Sequence, residues 1–181
     1  MIEPLYSIPK HSQQLPGFCG ETEEEHADTL SLMHAMQYEQ AFMFKYSRRD
    51  KTHAARHYED DVPEEVKSRR LQEIIDVFRQ GLAARNALEV GRRHVVLIDG
   101  PSKRGEGMWT GRTCTNKRVL LRDVPVPAAY GGAEPLVGLQ PGDYAAVEVT
   151  GLGGGGLLLG EALARTTLGE FVGRHGSTVP R

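Results

Sequence analysis

The residues best suited to chemistry are a group of cations and one tryptophan, within the stretch Val95–Arg112. An apolar run, Val95–Ile98, predicts a buried strand, and Asp99–Pro101 predicts a turn after it. The loop beyond that turn presents three polar or basic side chains: Ser102, Lys103 and Arg104. Such cations neutralise phosphates, and the ring of Trp109 offers a stacking face for an unpaired base. A surface hairpin with a solvated charge pair and a core tryptophan explains the same residues equally well.

The charge distribution supports a polyanionic partner for this stretch. The chain has a net charge of −2 over 181 residues, yet Glu89–Arg122 holds 8 Lys+Arg against 3 Asp+Glu. The part up to Leu88 holds 11 against 15. Charge concentration of this kind carries information about partners rather than about fold. On charge alone, Lys117 and Arg118, which flank the next turn, join the candidates.

The cysteines, the histidines and the acidic run Glu21–Glu25 do not form a pattern that predicts a catalytic or metal-binding site. Cys19 and Cys114 are too few for a disulfide framework. His53 and His57 are spaced for one face of a helix but have no third ligand nearby. The acids of Glu21–Glu25 are explained by a capping box at a helix start. No apolar run approaches the length needed to span a membrane.

The first half of the chain predicts helices and one strand. A helix from Thr22 to about Tyr38 and a second from Pro63 to about Leu88 both begin with acidic residues. Between them, Ala41–Ser47 predicts a strand buried on both faces. Residues 1–15, with scattered prolines, predict an irregular lead-in.

From Gly91 onward the pattern changes to short strands separated by glycine-rich turns. The strand candidates are Arg92–Ile98, Trp109–Thr115, Arg118–Leu121, Tyr144–Thr150 and Leu157–Ala164. Five such strands favour a small barrel or sandwich. Residues 124–138 predict a long inserted loop, and residues 169–181 predict a frayed tail.

Three motifs in register resemble a known family. They are GFCGETEEEHADTL (Gly17–Leu30), YSRRDKTHA (Tyr46–Ala54) and DDVPEEVKSRRLQEI (Asp60–Ile74). Together with the strands after Gly91 they resemble the C-terminal half of the MiaB-type radical-SAM tRNA methylthiotransferases, and within them the animal mitochondrial branch. The resemblance implies an α+β chain in which residues 16–90 are an incomplete remnant of a radical-SAM α/β barrel. Residues 91–168 would then form a five-stranded TRAM-like β-barrel that binds tRNA.

The resemblance also implies a division of roles. RNA contacts would come from the loop of Ser102, Lys103 and Arg104, from Arg112, and from Arg165 at the end of the last strand. The family holds [4Fe–4S] clusters on cysteine motifs, one of them Cys-x-x-x-Cys-x-x-Cys, and uses S-adenosyl-L-methionine. This sequence contains neither cysteine motif, so we expect no cofactor in this chain and no catalysis by it alone.

The expected function is therefore the tRNA-binding part of a tRNA-modifying protein, in the mitochondrion or the cytosol. Two alternatives remain open at this level. One is a protein-interaction fragment that binds a kinase-activator protein, the partner for which the animal branch is named. The other is a truncated gene model, joined just before Pro16 to unrelated sequence and without function.

Overall fold

The computed structural model describes residues 11–103, 105–133 and 135–176, and the chain divides into two compact units at Arg85/Asn86. The helices are α1 (Glu23–Met36), α2 (His53–His57), α3 (Glu64–Ala87) and α4 (Leu168–His175). The strands are β1 (His11–Gln14), β2 (Gln40–Met43), β3 (Arg93–Pro101), β4 (Met108–Thr113), β5 (Arg118–Arg122), β6 (Val126–Pro127), β7 (Leu136–Val137), β8 (Tyr144–Leu152) and β9 (Leu158–Thr166). This mixture confirms the predicted α+β class.

The first unit contains a two-stranded parallel sheet of β1 and β2. The prediction of an irregular lead-in is wrong for His11–Gln14, because these residues gain their hydrogen bonds from a strand nearly thirty positions away. The predicted burial of Ala41–Ser47 on both faces is also wrong. Phe42 and Phe44 point to one face of the extended chain and are 54% and 56% exposed. Residues 1–10, for which an irregular lead-in was also predicted, lie outside the described residues.

The helices of the first unit are held by polar contacts as well as by apolar ones. The Thr22 hydroxyl accepts from the Glu25 amide, and the Glu25 carboxylate accepts from the Thr22 amide, which confirms the predicted capping box. On α3, the apolar Ile74 is buried, but so is the charged Arg70. Arg70 Nη1 donates to the Glu21 carbonyl and carboxylate, both at 2.9 Å, so its charge is paired where it is buried.

The second unit is built on a closed barrel in the order β3-β4-β5-β9-β8. All neighbouring strands are antiparallel except β5 and β9, which are parallel. Each of the five predicted strands overlaps one of these, so the predicted five-stranded barrel is confirmed. Its core is filled by inward side chains from every strand, which include Val96, Ile98, Val119, Leu121, Val147 and Leu158.

Two segments around the barrel are more ordered than the sequence predicts. The expected inserted loop, residues 124–138, contains the antiparallel pair β6–β7, and Val126 belongs to the barrel core. The expected frayed tail contains α4, which begins with a capping box of Thr167 and Glu170. Phe171 of α4 is fully buried against Val95 and Ala146 on the outside of the barrel, and this burial holds the helix in place. Residues 177–181 lie outside the described residues.

No helix among the described residues is long and apolar enough to cross a membrane.

Candidate nucleic-acid interface

Strands β4 and β5 present a basic outer surface, which we call the β4–β5 face. Side chains alternate along each strand: Gly111, Thr113, Val119 and Leu121 are buried and face inward. The outward side chains that define the face are Met108, Thr110, Arg112, Arg118, Leu120 and Arg122. Arg112 lies directly opposite Arg118 in the antiparallel register. The structure therefore places two predicted residues side by side.

Gly111 allows this register. A Cβ atom at this position would lie 2.5 Å from both the Leu97 carbonyl oxygen and Val96 Cγ1. No side chain fits in that space, because real Cβ atoms essentially never come within 3.0 Å of another heavy atom. Glycine thus lets β4 approach β3 closely and fixes the outward direction of the next residue, Arg112.

The Arg112 guanidinium is oriented by two neighbours. Its Nε lies 3.3 Å from Asp99 Oδ2, and its Nη1 donates to Asn116 Oδ1 at 2.8 Å. The side chain is still 44% exposed, so the ion pair with Asp99 is screened and worth at most about 1 kcal/mol. Arg112 is thus positioned in advance while its charge remains accessible to a ligand.

Arg122 was not among the predicted site residues, although it lies on the same face. It is exposed at the end of β5, opposite Met108, and four residues along the strand from Arg118. Four residues of strand span about 13 Å. The alternation of Arg118, Leu120 and Arg122 around the apolar Val119 and Leu121 was the sequence signal that could have revealed it.

The loop between β3 and β4 adds a further cation at the Arg122 end of the face. The Ser102 amide donates to the Met108 carbonyl at 2.7 Å and so closes the hairpin. Met108 pairs with Arg122 across the strands. Lys103, next to Ser102, is exposed. Arg104 lies outside the described residues.

Lys117 does not belong to this surface. Its ammonium is 3.0 Å from Asn86 Oδ1 and 3.1 Å from Glu89 Oε1, and the residue is only 7% exposed. Burial alone would raise the pKa of Glu89, but the hydrogen bond from His94 and the charge of Lys117 lower it to about 2. The prediction for Lys117 rested on charge alone. In the structure the Lys117 ammonium is buried and paired with Glu89.

Arg165 is exposed on β9, opposite Ala145 of β8. It lies five residues beyond Gly160, the last β9 residue that pairs with β5. The structure therefore does not bring Arg165 onto the β4–β5 face.

Trp109 faces the inside of the barrel. It shares the inward side of β4 with Gly111 and Thr113, it packs against the core, and its Nε1 is buried. Of the two interpretations of this ring, the structure selects the core tryptophan, because the strand alternation turns the indole toward the barrel core and leaves it only partly exposed.

The thiols and imidazoles do not form a cofactor site. Cys19 lies in the loop before α1, and Cys114 is exposed in the β4–β5 turn, whereas an iron–sulfur cluster needs several thiolates at close spacing. His53 and His57 stack with ring centroids 4.1 Å apart. No group of three His, Cys, Asp or Glu side chains in the described part of the chain could hold a metal ion. The residues present therefore do not fit a [4Fe–4S] cluster.

These observations define a class: a small closed β-barrel with a basic outer face, preceded by a helical unit. No family model matches the chain. It is 45% identical over 170 residues to a CDK5RAP1-like protein of Oryza sativa subsp. japonica, which covers 92% of this chain and 28% of that protein. It is 41% identical over 166 residues to the human mitochondrial tRNA methylthiotransferase CDK5RAP1, which covers 92% of this chain and 27% of that protein.

A bacterial relative extends the comparison. The tRNA-2-methylthio-N(6)-dimethylallyladenosine synthase of Amoebophilus asiaticus is 45% identical over 154 residues, which cover 85% of this chain and 29% of that protein. The chain is thus similar over most of its length to tRNA methylthiotransferases, and it spans somewhat more than a quarter of the length of these relatives. The resemblance found in the sequence is thus confirmed.

Proposed function

We propose that this chain is the tRNA-binding part of a methylthiotransferase-like protein and that it does not perform the chemistry alone. The relatives are named as enzymes that act on tRNA. The observation that carries the proposal is the outward, exposed pair Arg112 and Arg118 on a closed barrel. In this proposal residues 91–168 act as a TRAM-like domain, and residues 16–90 are the remnant of a radical-SAM barrel.

The RNA surface in this proposal consists of the β4–β5 face and the adjoining loop. Its four cations among the described residues are Lys103, Arg112, Arg118 and Arg122, with Ser102 beside Lys103. Arg104 is included in the proposal only as the next residue in the sequence. Four cations that neutralise phosphates give a log–log dependence of affinity on salt with a slope of about −3 to −4. Lys117 is left out because its charge is buried and paired.

The absence of catalysis rests on the cysteine content. Cys19 and Cys114 cannot supply the three closely spaced thiolates that a cluster requires. Two expectations from the sequence stay predictions: the chain holds no cofactor, and it binds a kinase-activator protein. No feature of the described surface favours the kinase activator.

The test is binding of tRNA by the full chain, followed by fluorescence anisotropy at several salt concentrations. We expect Arg112→Ala/Arg118→Ala to make the salt slope shallower by about 2, because each lost phosphate contact removes about 1. The charge-matched control is Arg56→Ala/Arg79→Ala, two exposed positions on α2 and α3. Tight binding that ignores both salt and the first double substitution would refute the proposal.

A further inference from the structure

The β4–β5 face carries cations but no aromatic ring. Between Arg93 and Arg122 the sequence contains one Phe, Trp or Tyr, which is Trp109. Its indole packs against the barrel core, and its Nε1 is buried. Proteins that bind unpaired RNA stack its bases on exposed aromatic side chains, and this stacking supplies much of their affinity. The face has no such platform to offer.

The cations lie at the two ends of the face, with a neutral centre between them. Arg112 and Arg118 form one end, with Cβ atoms about 5 Å apart as in any directly opposed pair. Arg122 forms the other end, about 13 Å along β5. The centre consists of Thr110 and Leu120. The Thr110 hydroxyl donates its proton to the Gly100 carbonyl at 3.2 Å, so that proton is already used in a hydrogen bond within the protein.

This arrangement suits a ligand whose charges are rigidly placed on either side of a shallow surface. Double-stranded RNA has a wide, shallow minor groove between two phosphate backbones, and proteins recognise it by shape and backbone contacts. The orientation of Arg112 by Asp99 and Asn116 lowers the entropy lost on binding such a ligand. A flexible single strand would gain less from cations whose positions are set in advance.

We infer that the β4–β5 face binds double-helical RNA through its backbone and does not read unpaired bases. The inference rests on the proposed function and makes it more specific: the part of a tRNA that contacts this face is a base-paired stem. Cations at both ends of the face contact phosphates, and the neutral centre spans the groove between them.

Two RNA probes with equal numbers of phosphates test this inference on the full chain. One is a perfect duplex of about 16 base pairs, the length that a shape-reading domain spans, and the other is a strand that cannot pair. We expect the duplex to bind at least about tenfold more tightly, and Arg112→Ala/Arg118→Ala to remove most of that difference, since those cations contact the duplex backbone. The Arg56→Ala/Arg79→Ala protein should keep the full difference.

Tryptophan fluorescence supplies an independent readout, because Trp109 is the only tryptophan in the chain. We expect saturation with duplex to change its emission by no more than about 10%, since no base reaches the ring, whereas stacking would quench it strongly. Equal or tighter binding of the single strand, or strong quenching, overturns the inference and leaves the proposed function standing. If the wild-type chain binds neither the two probes nor tRNA, the proposed function itself fails.

Discussion

Arg112 and Arg118 lie directly opposite each other on β4 and β5, and both side chains are exposed. Like charges in this position destabilise a sheet by a few tenths of a kcal/mol to about 1 kcal/mol. Asp99, 3.3 Å from Arg112, offsets part of that repulsion. The repulsion between the two arginines thus lowers the stability of the barrel slightly, and a bound polyanion would reduce that repulsion.

Reversing one of these charges should stabilise the barrel and weaken RNA binding. In Arg118→Glu the like-charge pair becomes an opposite-charge pair, so we expect the free energy of unfolding to rise by about 0.5–1 kcal/mol in urea. Affinity for tRNA should fall at the same time. Arg122→Glu is the control, because Arg122 faces the uncharged Met108 and should change stability little. A loss of stability in Arg118→Glu would contradict the argument.

The close approach of β4 to β3 predicts a cost for any side chain at position 111. In Gly111→Ala the new Cβ would meet the Leu97 carbonyl oxygen and Val96 Cγ1 at 2.5 Å. Relieving this overlap should lower the free energy of unfolding by about 1–3 kcal/mol. Gly105→Ala is the matched control, because its Cβ would meet only Met108 Cγ at 3.6 Å. Equal urea midpoints for the two variants would show that β4 can move away from β3 without a loss of stability.

The cluster of Glu89, Lys117, His94 and Asn86 should make stability depend on pH. The pKa of Glu89 falls from an ordinary 4.5 to about 2 on folding. A carboxyl with a lowered folded pKa stabilises the protein fully above its unfolded pKa, and this contribution is lost as pH falls through the folded pKa. At pH 7 Glu89→Gln should cost about 3 kcal/mol, because it removes the carboxylate that pairs with the buried Lys117 ammonium.

The difference between wild type and Glu89→Gln should shrink as pH falls from about 4.5 toward 2, which urea unfolding at successive pH values would measure. Glu161→Gln, at an exposed position on β9, is the control and should change stability little at any pH. A difference that stays constant from pH 7 to pH 3 would argue that Glu89 is not held ionised by its neighbours.

Removing the buried ring of α4 should detach the helix from the barrel. Phe171→Ala empties a fully buried position and should cost about 3–5 kcal/mol in unfolding free energy. Val172→Ala, at the neighbouring exposed position, should change it by no more than about 0.5 kcal/mol. Limited proteolysis should cut the segment beyond Thr166 in Phe171→Ala but not in Val172→Ala. Equal resistance of the two would mean that Phe171 does not anchor the helix.

Strand positions and helix starts were predictable because they depend on local signals. Thr22 and Glu25 form their capping box within one turn of chain, and the alternation of Arg118 to Arg122 marks a strand by itself. The α4 capping box of Thr167 and Glu170 is an equally local signal, although a frayed tail was expected there.

The sequence by itself determined the α+β class, the five barrel strands and the cluster of positive charge around them. Only the tertiary structure decided which charges are available: it buries Lys117 against Glu89 and Asn86 and leaves Arg122 exposed. It also turned Trp109 inward. The physical reason is that the sequence gives the type of each side chain but not its exposure to solvent. Its exposure depends on partners that are distant in the chain, such as Glu89 for Lys117.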